Sequence, residues 1–365
     1  MKLLTILGAR PQFIKAATVS RAIKARDDIE EIIVHTGQHF DANMSDVFFE
    51  QLDIPRPHHN LQISGLSHGA MTGRMIEGIE TLIQQEQPDW LLVFGDTNST
   101  LAGALAAAKL HIPVAHVEAG LRSHNPAMPE EINRVLTDRV SSLLLCPTQR
   151  AENNLQLEGF PFSAMGTNGT HVPQRIANIG DVMYDAVLFY RARAKEQISL
   201  DAFGLRHQNY ALCTLHRQEN TDDPKRLQSI LSALRDIAKD LPLILPLHPR
   251  TRQKIEQQHN ANALSGVTIL EPLPYLEMQR LQMSAKLMLT DSGGMQKEAY
   301  FHQVPCITLR DETEWLETVE AGWNQLVGAS AELILSAWRS ANPPRVQTEN
   351  LYGAGNAAER LLWSF

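Results

Sequence analysis

The sequence predicts an α/β protein made of two doubly wound domains with parallel sheets. Three observations carry this. The chain has 365 residues, more than a single hydrophobic core usually organises. Apolar runs of strand length alternate with longer helical patterns, as parallel strands joined by helical crossovers require. The alternation also occurs twice, with a polar segment between the two series.

The first series is Leu3–Leu7, Glu31–Thr36, Trp90–Phe94, Val114–Val117 and Leu143–Cys146. These runs are mostly continuous in Leu, Ile and Val rather than alternating, which suits strands covered on both faces. Residues 159–172 follow, rich in Gly, Pro, Ser and Asn, then Asn178-Ile179-Gly180-Asp181 and an amphipathic stretch to about Lys195. The second series is Tyr210–Thr214, Leu243–Leu247, Val267–Leu270, Lys286–Thr290 and Pro305–Leu309. The expected domains are therefore 1–180 and 181–355, joined within 181–208. The amphipathic run 356–365 is expected to form a helix that packs back on the first domain. No internal repeat or low-complexity tract occurs.

Composition narrows the function classes. Lys and Arg number 33 against 41 Asp and Glu, a net charge of −8, and no dense basic run appears. That balance argues against a nucleic-acid surface. Cys146, Cys213 and Cys306 sit at the edges of apolar runs without metal-type spacing, and are expected to be buried, reduced thiols. The first residues are too short an apolar run for a signal peptide and nothing later approaches a membrane span, so a cytoplasmic protein is expected. Asn168-Gly169-Thr170 matches a glycosylation sequon but in that compartment is simply a polar loop.

In doubly wound sheets ligands bind beyond the carboxyl ends of the strands, and the chemically suggestive residues fall there. Lys286–Thr290 runs through Asp291 into Ser292-Gly293-Gly294 and a helix-forming stretch. Adjacent glycines admit a phosphate to the backbone, and the helix start offers free N–H groups and a positive dipole end. Glu298, one turn inside, is placed to accept hydrogen bonds from vicinal ribose hydroxyls, so a nucleoside diphosphate is the expected ligand. A Gly-Gly turn as plain backbone punctuation is the alternative.

Asp96 follows the third strand, Glu118 the fourth, and Glu130 lies in Pro129-Glu130-Glu131-Ile132-Asn133-Arg134. Carboxylates at strand ends in a closed site suit general acid and base work. Pro129-Glu130-Glu131 is also an ordinary helix start, and Glu130 with Arg134 has the spacing of a surface ion pair. His216 heads a polar run after a strand, where an imidazole would either reach a diphosphate or cap the strand end. His35, His39 and Asp41 straddle an apparent turn and make a poor metal set, while His248-Pro249-Arg250-Thr251-Arg252 is a basic loop that binds an anion or solvates a turn.

Taken in order, Gly8-Ala9-Arg10-Pro11, Gly95-Asp96-Thr97, His116 to Arg122, Pro129 to Arg134, His216 to Asn220 and Thr290 to Glu298 resemble the non-hydrolysing UDP-N-acetylglucosamine 2-epimerases from end to end. The resemblance implies a glycosyltransferase-B (GT-B) architecture: two Rossmann-like domains whose parallel sheets face a central cleft, as a homodimer. It implies inversion at C2 through loss of the C2 proton as UDP leaves C1, a glycal intermediate and re-addition of UDP. No cofactor and no metal is required. Carried over by position, Asp96, Glu118 and Glu130 form the acid/base set with His216. Arg10 and His216 meet the diphosphate, Ser292, Gly293, Gly294 and Glu298 hold UDP, and Lys15 and Arg134 position the sugar or leaving group.

Departures from the family pattern point to a subgroup. Gln12 stands where a glutamate is common, Trp315 replaces an arginine expected near UDP, and Met278 replaces an aromatic near the uracil. With Gly37 to Met44, these resemble the subgroup acting on UDP-2,3-diacetamido-2,3-dideoxy-glucuronate and forming its mannuronate epimer for surface polysaccharide. A neutral Gln12 beside the sugar would avoid repelling a uronate. The altered 40–44 segment argues against the substrate-regulated second site that the family builds around Gln38 and an arginine like Arg74. UDP-N-acetylglucosamine epimerisation is the runner-up. A GT-B glycosyltransferase, a hydrolysing epimerase and a silent UDP-sugar binder follow.

Overall fold

The apolar runs become two all-parallel sheets, one in each half of the chain. The computed structural model describes residues 1–38, 49, 52–161, 173–258, 262–344 and 350–365. His39, Asp41, the 40–44 departure and the 168–170 sequon lie outside them. Two units emerge: Met1–Ala186 with Asn350–Phe365, and Val187–Glu349.

The first unit carries β1 (Lys2–Leu7), β2 (Glu30–His35), β3 (His59–Asn60), β4 (Trp90–Phe94), β5 (Val114–Val117), β6 (Leu143–Cys146) and β7 (Arg175–Asn178), in the spatial order β3-β2-β1-β4-β5-β6-β7. The second carries β8 (Ala211–Thr214), β9 (Leu243–Pro246), β10 (Val267–Leu270), β11 (Leu287–Thr290), β12 (Cys306–Thr308) and β13 (Asn324–Leu326), ordered β10-β9-β8-β11-β12-β13. In each sheet the chain steps outward for three strands, then returns to the other side of the first. The reversal lies between β1 and β4 in one unit and between β8 and β11 in the other, the crevices where such sheets take ligands.

The central strands β4, β5, β6, β9 and β11 are buried almost throughout, which is why their sequences are continuously apolar. Three strands escaped the sequence reading. β3, β7 and β13 are edge strands with one neighbour each, and all three retain exposed or half-buried polar residues such as Arg175, Asn178 and Gln325.

Helices cover both units. Those used below are α1 (Arg10–Lys24), α2 (His68–Glu86), α3 (Asn98–Lys109), α4 (Pro129–Val140), α5 (Gln149–Leu157) and α6 (Val182–Gln197). In the second unit come α7 (Gln218–Thr221), α8 (Pro224–Asp240), α9 (Pro249–Gln258), α10 (Tyr275–Gln282), α11 (Gly293–Phe301), α12 (Leu316–Glu320) and α13 (Ala331–Ser340). The last helix, α14 (Ala357–Trp363), packs on α1 in the first unit. Its start has no side-chain cap of its own. Asp185 of α6 supplies one, accepting from the Ala358 amide at 2.8 Å. Cys146, Cys213 and Cys306 are free and buried.

Candidate active site

At the β1/β4 crevice the site is assembled from four segments. β4 is followed by Gly95, whose φ of +63° turns the chain sharply and presents Asp96. A Cβ on Gly95 would lie 3.3 Å from Glu118 Oε2 and 3.9 Å from Lys15 Nζ, so the Asp96 turn, Glu118 after β5 and Lys15 of α1 converge. Lys15 and Glu118 form an ion pair with both side chains largely out of solvent. Asp96, 29% exposed, accepts a hydrogen bond from Arg134 of α4, whose other amino group binds Glu131 at 2.9 Å. Asn133 holds the Asp96 carbonyl at 2.9 Å. Glu131 accepts from the Ser123 and His124 amides, tying the loop after β5 to the helix.

The structure thus gathers Lys15, Asp96, Glu118 and Arg134. Glu130 is half-buried in the first turn of α4, one turn ahead of Arg134, and Arg10 is half-buried as the first residue of α1. The sequence alternative for Arg134, a surface pair on its own helix, gives way to burial and a bond to Asp96.

Gln12 requires a correction. It is 2% exposed and its amide is engaged at both ends. Its Oε1 accepts from the Gly8 and Ala9 amides at 2.8 and 3.0 Å, and its Nε2 donates to the Phe94 carbonyl at 2.7 Å and to Thr97 and Thr100 hydroxyls. Gln12 fastens the β1–α1 turn to the β4–α3 turn, and both ends of its amide are spent on those contacts.

The β8/β11 crevice holds the second cluster. Ser292 caps α11, its Oγ accepting from the Met295 amide. Gly293 has no room for a side chain, since a Cβ would stand 2.4 Å from Glu314 Oε1, whereas Gly294 is exposed. Glu298 is 6% exposed, with one oxygen accepting from Gln282 at 2.7 Å. Asp291, fully buried, accepts from the backbone amides of His216 and Arg217 at 3.0 and 2.9 Å. Its Oδ1 lies 3.2 Å from His216 Nδ1. A carboxylate accepts, so Nδ1 carries the hydrogen and Nε2 is the nitrogen that the half-exposed ring offers outward.

Trp315, where the pattern predicts an arginine, lies under the Lys297 ammonium, 3.9 Å from ring centre to Nζ. A cation therefore remains at this end of α11. Arg310, fully buried after β12, binds Glu314 at 3.0 Å. Met278 packs against a core cluster of the second unit.

Other sequence candidates resolve as structure. The segment expected as a basic loop is instead the start of α9, where Arg250 and Lys254 share Asp222 and Arg252 pairs with Glu271, so its charges are largely answered locally. His35 packs edge-on against Phe13, and burial lowers its pKa. Among the described residues no His, Cys, Asp or Glu group could hold a metal ion. None of the described helices is long and apolar enough to cross a membrane. Gln38 accepts from the Ser99 amide and hydroxyl at the start of α3, and Arg74 is exposed on α2.

Sequence reasoning missed Asp138, Glu131, Asn133, Asp291 and Arg310. A signal existed for the first: Glu130, Arg134 and Asp138 recur every four residues, with Asn133 beside them, a polar stripe on one helix face. Asp291 stood unassigned within a segment already singled out. Arg310 has no local signature, because its burial comes from long-range packing.

Comparison with known proteins gives the family. A family model described as UDP-N-acetylglucosamine 2-epimerase matches residues 21–364. A Pseudomonas aeruginosa protein named UDP-2,3-diacetamido-2,3-dideoxy-D-glucuronate 2-epimerase is 53% identical over 99% of this chain and 98% of its own. The UDP-GlcNAc 2-epimerase of Methanocaldococcus jannaschii, solved in complex with UDP-GlcNAc and UDP, superposes with a TM-score of 0.88 at 42% identity, covering 100% of this chain and 99% of that one. The Neisseria meningitidis enzyme bound to UDP-GlcNAc gives 0.85 at 30% identity, with the same coverage. The two Rossmann-like units are those of GT-B-like epimerases, and the chain belongs to the UDP-N-acetylglucosamine 2-epimerase family.

Proposed function

We propose that this UDP-sugar 2-epimerase acts on UDP-2,3-diacetamido-2,3-dideoxy-D-glucuronate and forms the mannuronate epimer. The observation that carries this substrate is the 53% identity, spanning nearly the whole of both chains, with the Pseudomonas protein of that name. UDP-N-acetylglucosamine is the second reading, favoured by the 42% identical Methanocaldococcus jannaschii enzyme.

In this reading the Val187–Glu349 unit holds the nucleotide, and the Met1–Ala186 and Asn350–Phe365 unit works on the sugar. Ser292, Gly293 and Gly294 offer backbone donors to the diphosphate, Glu298 meets the ribose, and His216 Nε2 and Arg10 neutralise the departing UDP. One of Asp96, Glu118 and Glu130 removes the C2 proton. The electrons of that C–H bond form the C1–C2 double bond as the C1–O bond breaks toward UDP. UDP then re-adds at C1 while a second carboxylic acid protonates C2 from the other face. Lys15 and Arg134 already hold two of those carboxylates in place. The residues need no metal or redox cofactor for these steps.

The protein is read as a cytoplasmic homodimer supplying a polysaccharide pathway. Support for pairing comes from α4, whose outer face exposes Ile132, Val135 and Leu136 at 50%, 37% and 44%. The substrate reading is tested by offering each UDP-sugar separately and following the products by NMR. Turnover of the uronate with a kcat/KM at least tenfold above that for UDP-N-acetylglucosamine supports it; the reverse preference replaces it with the second reading.

A further inference from the structure

We propose that His116 is a positioning residue for the epimerisation, clamping the Gly95 carbonyl so that the turn presents Asp96 in a single geometry. This rests on reading Asp96 as one of the acid/base carboxylates.

His116 ends no strand and touches no solvent. Its Nε2 lies 2.7 Å from the Gly95 carbonyl oxygen and its Nδ1 lies 2.7 Å from Asp138 Oδ1. A carbonyl and a carboxylate both accept, so both ring nitrogens donate. Asp138 Oδ2 accepts from Arg122 at 2.7 Å and from the Gly120 amide at 3.1 Å, and Arg122 makes a two-pronged bond to Glu158 at 2.6 and 2.8 Å. Burial alone would raise the Asp138 carboxyl, but His116 and Arg122 outweigh it and hold it below its ordinary value. Charge alternates along a chain from Glu158 through Arg122 and Asp138 to His116, and that chain ends on the Gly95 carbonyl. Cys146 of β6 also faces this cluster, its thiol pushed up by burial and by Asp138.

Why a turn should need such a fixture follows from its backbone. Gly95 sits in the left-handed region and, lacking a Cβ, keeps more conformational freedom than any other residue there would. Asp96 must nevertheless hold its carboxylate to within a fraction of an ångström for proton transfer. α4 grips the turn at three points: Asn133 on the Asp96 carbonyl, Arg134 on its carboxylate, and Asp138, through His116, on the preceding carbonyl. The first two act on Asp96 itself. Gly95, which sets its direction, is held at its amide by the Val117 carbonyl at 2.9 Å and at its carbonyl by the His116 side chain.

The test uses the full-length enzyme with whichever UDP-sugar the wild type turns over, so the choice of sugar does not enter. His116→Gln, Asp138→Asn, the double substitution and Asp96→Asn are compared for kcat, KM, C2–H exchange with solvent and UDP affinity. His116→Gln leaves one donor for Gly95 but turns an amide oxygen toward Asp138. It is expected to lower kcat and C2 exchange by about tenfold or more, with KM and UDP affinity within about twofold. Adding Asp138→Asn converts that clash into a hydrogen bond and is expected to restore kcat at least ~fivefold over His116→Gln alone.

Full kcat in His116→Gln beside an inactive Asp96→Asn would overturn the clamp, as would a double variant no better than His116→Gln. Full activity in Asp96→Asn would instead remove the reading of Asp96, and the clamp with it. Should the variants not fold, histidine-selective 15N NMR on the wild type decides: hydrogen on His116 Nε2 supports the clamp, and a bare Nε2 with hydrogen on Nδ1 alone refutes it.

Discussion

At the scale of single residues, the candidate site is a set of charges held by opposite charges before any substrate arrives. Lys15 holds Glu118 and Arg134 holds Asp96, while Asp291 holds the His216 loop through its backbone amides. Gln12 shows the limit of reading such residues from sequence. Its neutral side chain suggested charge matching to a uronate, yet its amide links two backbone turns. Gln12→Glu would bring a carboxylate oxygen against the Phe94 carbonyl in place of a donor. The expected outcome is a loss of about 1–3 kcal/mol in stability, seen as a lower denaturant midpoint, with the ratio of kcat/KM between the two sugars unchanged. A selective loss for the uronate would return Gln12 to the sugar.

At the scale of elements, α4 is amphipathic in the unusual sense. Its inner face is polar, with Asn133, Arg134, Thr137 and Asp138 buried, and its outer face is apolar. The sequence reading saw a helix start at Pro129-Glu130-Glu131 but not which face would be inward, because hydrophobic periodicity alone assigns apolar residues to the core. If Ile132, Val135 and Leu136 seat a second copy, Val135→Glu is expected to shift the protein from dimer to monomer in sedimentation velocity. A dimer unaffected by Val135→Glu would place pairing elsewhere.

The α6–α14 contact supplies a pH test. Burial raises the Asp185 carboxyl to about 6, with Asp181 and Glu359 acting in the same direction. A raised carboxyl favours the folded state below about pH 4, where both states are protonated, and that stabilisation is lost as pH rises through about 6. Asp185→Asn keeps an acceptor for the Ala358 amide and buries no charge. It is expected to match the wild type in thermal melts at pH 4 and to gain on the order of 1–2 kcal/mol at pH 8. A variant less stable than the wild type at pH 8 would mean that the charged cap outweighs burial.

At the scale of the whole molecule, the two-sheet architecture was legible because the central strands are buried on both faces and so are written as uninterrupted apolar runs. The edge strands β3, β7 and β13 were not, because one-sided pairing leaves them polar. The candidate residues were legible because they fall at strand ends: Asp96, Glu118, His216 and Ser292 all follow central strands. Its supports were not, since Asp138, Arg310 and the partners of Gln12 come together only through strand order. Two topological switch points, one per unit, each carry a charged constellation, in a chain that belongs to a UDP-sugar epimerase family.

The central claim is that carboxylates at the β1/β4 crevice move the C2 proton while the β11–α11 junction holds UDP. It is tested most directly by incubating wild type, Asp96→Asn and Glu118→Gln with the preferred UDP-sugar in deuterated water. C2 is followed by NMR and UDP affinity by calorimetry. The expected result is deuterium at C2 of both epimers for the wild type, none for either variant, and UDP affinity within about threefold throughout. Deuterium entry at the wild-type rate in both variants, or epimerisation without any exchange, would contradict the account.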